Sequence, residues 1–145
     1  LKIVINEKKE FQDTEIIINC RQLDEELIKI ISSLKSLEEK VTGSLNGKIF
    51  VIDTLEIYYF ESVNKKTFIY TEKEVYETHL RLYEIEERFK NSHFFRASKS
   101  TIINLSKIKI ITPLFGGKVE AILENDEKLF VSRQYVKILK NKLDF

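Results

Sequence analysis

Phe94-Phe95-Arg96-Ala97-Ser98-Lys99-Ser100-Thr101-Ile102-Ile103-Asn104-Leu105 is the stretch on which the reading of this chain turns. Apolar anchors stand at both ends, and between them lie two cations and several hydroxyls. Such a run can hold its ends in a core while presenting Arg96, Ser98, Lys99 and Ser100 outward. Cations and hydroxyls are the usual donors to phosphate oxygens, and a lysine can also donate to guanine O6 or N7. Composition alone favours a plain polar connection between two strands, with no ligand.

The charge distribution around it fits a polyanionic partner, and fits a plain solvated basic face as well. The net charge is +1 over 145 residues, but it is unevenly spread. Residues 1–40 and 41–90 each hold seven Lys/Arg against nine Asp/Glu, whereas residues 91–145 hold ten against five, a balance of +5. A basic terminal third on an otherwise slightly acidic chain gives a directional field.

Strand patterning dominates the rest. Leu1 to Ile5 and Glu15 to Ile18 read as strands joined by a polar connection. Leu23, Leu27, Ile30, Ile31 and Leu34 then follow helical spacing, with Asp24, Glu25 and Glu26 at the positive end of the helix dipole. Asn46-Gly47 marks a type I′ hairpin. Lys48 to Ile52, Leu55 to Phe60 and Thr67 to Tyr70 read as strands, with Asn64-Lys65-Lys66 as a turn. Thr71-Glu72-Lys73-Glu74 fits a capping box, predicting a helix from Lys73 to Phe89. Further strands are expected at Ile108 to Thr112, Val119 to Leu123 and Leu129 to Val131, and a terminal helix at Arg133 to Leu143.

The fold class is therefore mainly β with helices (α+β). An N-terminal β-β-α unit over residues 1–44 precedes an antiparallel β domain over residues 45–145 with one main helix.

Catalysis finds little footing. His79 and His93 lack metal-spaced partners, and no phosphate-binding glycine loop or nucleophile elbow is present. No cofactor and no metal are expected. Cys20, the single cysteine, reads as a small core residue at a strand end; it allows no internal disulfide and points to a cytoplasmic setting. The N-terminus reads as strand, with no leader expected, and no apolar run approaches the roughly 20 residues of a membrane span.

The Phe94 to Asn104 stretch resembles the core motif of the LytTR DNA-binding family: an aromatic, Arg, a small residue, a polar pair, Ser, then an aliphatic run ending in Asn. Phe95, Arg96, Ser100 and Asn104 match. Ile103 stands where Val is usual and Thr101 where an aromatic is common. A second match is Leu129-Phe130-Val131-Ser132-Arg133-Gln134-Tyr135-Val136, similar to the family's Ser-Arg-Arg-Tyr segment, with Gln134 replacing the second Arg. A third is Ile57-Tyr58-Tyr59-Phe60-Glu61-Ser62 with the turn and strand that follow. The N-terminal unit resembles that of stand-alone members without a phosphoacceptor receiver domain; about 40 residues cannot hold a doubly wound five-stranded sheet.

The resemblance implies an elongated antiparallel β domain that inserts loops into the grooves of double-stranded DNA, hence a transcription regulator. By position, the DNA-facing places fall on Lys65, Lys66 and Thr67, on Arg96, Ser98, Lys99 and Ser100, and on Arg133, Gln134 and Tyr135. Lys99, Thr67 and Gln134 are the expected base readers. Arg96, Ser100, Lys65, Lys66 and Arg133 are the expected phosphate contacts, and Asn104 a structural hydrogen-bonder. The resemblance further implies paired DNA repeats, a homodimer on DNA and a small membrane regulatory protein as partner. The competing readings are an RNA-binding module, in which Phe94, Phe95 and Tyr135 stack bases, and a protein-interaction β module.

Overall fold

A computed structural model describes residues 1–36 and 39–145. Helix α1 (Glu25–Ser36) starts at Asp24, whose Oδ1 accepts the Leu27 N–H at 2.8 Å. An acidic residue there satisfies an orphan donor and meets the positive helix end. Strands β1 (Lys40–Leu45) and β2 (Lys48–Asp53) form a hairpin closed by Asn46 and Gly47, at φ 52° and 75°. Only Asn, Asp and Gly accept two such angles cheaply. Strands β3 (Ile57–Val63) and β4 (Lys66–Thr71) are joined the same way through Asn64 and Lys65, at φ 51° and 66°. Then come β5 (Val75–Thr78), α2 (Leu82–Arg88), β6 (Phe94–Arg96), β7 (Thr101–Asn104), β8 (Ile108–Pro113), β9 (Val119–Leu123), β10 (Lys128–Val131) and α3 (Arg133–Leu143).

The strands make two antiparallel sheets, one of seven strands in the order β2-β1-β5-β4-β3-β7-β6 and one of three in the order β10-β9-β8. The large sheet reaches back to Lys40, which pairs with Asp53 across the expected division at residues 44 and 45.

Two expectations need correction. No strand forms between residues 1 and 24, where Ile3, Val4, Ile5, Ile16 and Ile17 stay exposed, as does Cys20. Apolar patterning marks a strand only if a neighbour supplies the other half of the ladder, and here the other described residues supply none. The expected β-β-α unit is represented by its helix alone.

The helix predicted from Lys73 to Phe89 is likewise shorter. Thr71 Oγ1 does accept the Glu74 N–H, at 3.1 Å, and donates to the Glu74 carbonyl at 2.9 Å. That bonding closes a turn between β4 and β5 rather than starting a helix, and Val75, Tyr76 and Thr78 are residue types that suit a pleated strand.

The β3-β7-β6 side of the large sheet explains the apolar anchors of the signature stretch. Along β6 and β7 successive side chains point to opposite faces. Phe94 and Ile102 enter one core, with Phe60, Ile69, Ile85 and Phe89, beneath α2. Phe95 and Ile103 enter the other, with Tyr59, Val119, Leu123, Val131 and Leu139, beneath the small sheet and α3. Both sides being covered, all four are at most 6% exposed, each contributing roughly 2 kcal/mol.

Asn104 closes β7. Its Nδ2 donates to the Ile57 carbonyl at 2.8 Å, and its Oδ1 accepts from the Ser106 N–H (3.0 Å) and Oγ (2.7 Å). This caps a 3₁₀ turn at Leu105–Lys107 that redirects the chain into β8. Asp53 repeats the device before β3, accepting the Leu55 N–H at 3.0 Å. That N–H, and then Lys40, hold the Asp53 carboxyl below its ordinary range.

The two sheets are joined by Tyr59, whose hydroxyl donates to Glu127 Oε2 at 2.7 Å while its ring stacks on Tyr70 at 4.2 Å. Burial, and next the Glu127 carboxylate, push the phenol well above its usual value, so it stays a donor. Tyr59→Phe is expected to cost about 1–2 kcal/mol in thermal unfolding, with duplex affinity unchanged.

A candidate nucleic-acid interface at one end of the large sheet

Strand register places the expected loops together. Glu61 pairs with Thr101, and the Ser62 N–H donates to the Ser100 carbonyl at 2.8 Å, so the β3–β4 turn sits beside the β6–β7 connection. The Ser132 N–H donates to the Ala97 carbonyl at 2.8 Å, which ties the start of α3 to the same connection. Ser98, Lys99, Ser100, Ser132, Arg133 and Gln134 line one open cleft. Lys99, Ser100, Arg133, Gln134, Lys65 and Lys66 are exposed; Ser98 and Tyr135 are half-buried. Two segments more than 30 residues apart thus offer hydroxyls, two cations and an amide to one space.

Two of the expected contact residues have other duties. Arg96 is a clamp: Nε donates to the Ser98 carbonyl and NH2 to the Lys99 carbonyl, both at 2.6 Å, while NH1 pairs with Glu86 Oε2 at 2.9 Å. Its side chain is 16% exposed, and all three guanidinium nitrogens are occupied within the protein. A planar fork suits two successive carbonyls and a carboxylate. Arg96 therefore shapes the loop that carries Lys99. Thr67 is 3% exposed, paired with both Ser62 and Thr78 inside the sheet. A buried mid-sheet hydroxyl does not reach a base edge.

Lys65, Lys66, Lys99, Ser100, Arg133 and Gln134 keep outward positions. Lys66 makes only a loose contact with Glu77 at 3.9 Å, worth little at the surface. The Lys65 carbonyl is held by Arg81 NH1 at 2.9 Å, which steadies the β3–β4 turn. The hairpin joining β8 and β9 leans on Arg133: a Cβ on Gly117 would lie 3.3 Å from Arg133 Cγ, so the glycine permits the approach. Tyr135 packs partly into the second core.

Sequence reasoning missed several neighbours. Ser44 pairs with Glu77 and Thr67 with Thr78, so the Asn46-Gly47-Lys48 hairpin and His79 come to this same end. Counting antiparallel strands would have found the hairpin, had β5 been read as a strand. Ser132 lacked any signal beyond its place in a motif. Among the described residues no group of His, Cys, Asp or Glu is placed to hold a metal, and no helix is long and apolar enough to cross a membrane.

Comparison with known proteins agrees with this geometry. The LytTr DNA-binding domain family matches residues 47–144. A solved LytTr DNA-binding domain from Bacillus cereus superposes with a TM-score of 0.70 at 25% identity, covering 74% of this chain and 99% of that one. Uncharacterized HTH-type transcriptional regulators of Staphylococcus aureus strains MSSA476 and NCTC 8325 are each 28% identical over 145 residues; 99% of this chain aligns with 97% and 95% of their lengths.

With most of its length matched, the chain belongs to the LytTR DNA-binding domain family, a DNA-binding rather than an enzyme family. The helix-turn-helix label carried by the Staphylococcus relatives does not describe this architecture: among the described residues strands intervene between every pair of helices.

Proposed function

We propose that this protein is a sequence-specific transcription regulator that docks the described end of its large sheet on double-stranded DNA. The observation that carries the proposal is the single cleft shared by Ser98–Ser100 and Ser132–Gln134, built within a LytTR domain. The regulator names of the Staphylococcus relatives support it. The loops enter DNA grooves, where Lys99 and Gln134 read base edges. Lysine donates to guanine, and a glutamine amide can bond adenine in bidentate fashion. Ser98, Ser100, Lys65, Lys66 and Arg133 hold phosphates, and Tyr135 supports Gln134 from within the helix. Arg96 and Thr67 act behind this surface.

The protein binds paired repeats as a homodimer in the cytoplasm, and the N-terminal part of the chain, before its junction with the large sheet at Lys40, also suits docking of a small membrane regulatory protein.

Titration of duplex against single-stranded DNA and RNA tests the reading. Duplex DNA is expected to bind at least tenfold more tightly, with affinity falling steeply as salt rises. Preference for single strands would favour the RNA-binding alternative, and absence of salt-sensitive binding the protein-interaction one. Lys66→Ala is expected to weaken binding almost equally on all sequences, lowering the slope of log affinity against log salt by about one.

A further inference from the structure

Two unmatched surfaces remain in the chain. One is the outer edge of the large sheet: β2 pairs with β1 alone, and alternate residues point their N–H and C=O groups outward. Ile49 and Val51 on this edge are 78% and 70% exposed, and Phe50 is only partly covered. Free, apolar edge strands template further strands. The other surface is the stretch Lys2-Ile3-Val4-Ile5-Asn6-Glu7, strand-like in composition, unpaired, with Ile3, Val4 and Ile5 all at least 67% exposed.

We infer that residues 2–7 of one copy add as an antiparallel strand to the β2 edge of a second copy, so that two chains exchange arms. In one register charges and length agree, and of the six facing pairs Asn6 opposite Ile49 is the single mismatch. Lys2 lies opposite Asp53 and Glu7 opposite Lys48, giving opposite charges at both ends of the six-residue strand. Between them, Ile3 meets Ile52 and Ile5 meets Phe50, extending the core that holds Ile52 beneath α2, while Val4 meets Val51 on the opposite face. Facing pairs in antiparallel strands share a face, so each apolar residue of the arm lands beside an apolar residue of β2.

A slip of one residue would put Lys2 beside Ile52 and reverse every side chain, so the register is specific. A second copy is the occupant because the arm and the edge coexist in a single chain without pairing. Reciprocal exchange is a closed, two-fold arrangement. It supplies the proposed DNA-bound dimer with its joining surface, and it rests on that reading for its purpose only.

The test uses the 145-residue chain with Cys20→Ser, Val4→Cys and Val51→Cys. Facing residues in an antiparallel pair lie within disulfide reach. Mild oxidation is expected to give a covalent dimer on a non-reducing gel. A disulfide closed within one chain, or no disulfide at all, would overturn the inference.

Sedimentation of the uncrosslinked protein provides the second reading. Glu7→Lys and Lys48→Glu, both exposed positions, are each expected to weaken the dimer severalfold, and the double reversal to restore it. Weakening without restoration contradicts the register. Duplex binding by the Cys20→Ser, Val4→Cys, Val51→Cys protein, whose substitutions lie outside the DNA-facing end, reports separately on DNA recognition, so failure of either reading is distinguishable from failure of the other.

Discussion

Arg96→Ala is expected to lower duplex affinity at least tenfold while leaving the salt dependence of binding almost unchanged. The combination follows from the clamp. Arg96 donates to the carbonyls of Ser98 and Lys99 and pairs with Glu86, so it fixes the conformation of the loop that presents Lys99. Without it the loop samples other shapes, and ordering it on DNA would cost about 1–2 kcal/mol per residue fixed; 1.4 kcal/mol is already a factor of ten. A residue bound to phosphate behaves differently, since its removal lowers the salt slope by about one. Arg96→Lys is expected to rescue poorly, because an ammonium cannot reproduce the planar fork. Glu86→Ala, which removes one of three contacts, is expected to have a small effect. Affinity measured across a salt series distinguishes the two roles, and a flattened slope for Arg96→Ala would return the residue to the phosphate-contacting set.

Asn104→Ala is expected to destabilise the domain by about 3 kcal/mol, on the order of 10 °C in thermal midpoint. The side chain is 2% exposed and satisfies three partners: the Ile57 carbonyl and both the N–H and hydroxyl of Ser106. Deleting it leaves a buried carbonyl on β3 unpaired and uncaps the turn into β8, while a small cavity remains. Asn104→Asp is expected to be as damaging, since a carboxylate can accept from Ser106 but cannot donate to Ile57. Thermal unfolding of both variants measures the effect; a loss below about 1 kcal/mol would mean that water replaces the missing groups.

The contrast between these two residues shows what was readable in the sequence. Both stand in the same motif, and both are polar. Asn104 ends an apolar run, which favours a buried structural role, and the structure agrees. Arg96 follows two aromatics and precedes a hydroxyl-rich loop, a setting that reads equally well as contact or clamp. Its partners decide between them, and Glu86 lies on α2, ten residues away and in another element.

Thr67 illustrates a different limit: position in a turn motif suggests exposure, but along β4 it shares a face with Ile69, which lies in the core beneath α2, so its side chain is covered. The strand β5, which pairs with β4 there, was itself hidden, because the Thr71–Glu74 bonding pattern serves a turn as well as a helix start. Local patterns with one physical outcome, such as Asn46-Gly47, were legible. Those with two outcomes were settled only by long-range pairing, as at residues 1–5, where an apolar strand pattern finds no partner among the described residues.

The most direct test of the account is the sequence preference of wild type and Lys99→Ala, each selected against random duplex DNA at fixed salt. Lys99 is exposed at the tip of the clamped loop and lines the shared cleft. The account predicts a defined motif for wild type and relaxed preference at one position for the variant, with a loss of roughly 1–3 kcal/mol on the best site. Identical preference profiles for the two proteins would contradict it.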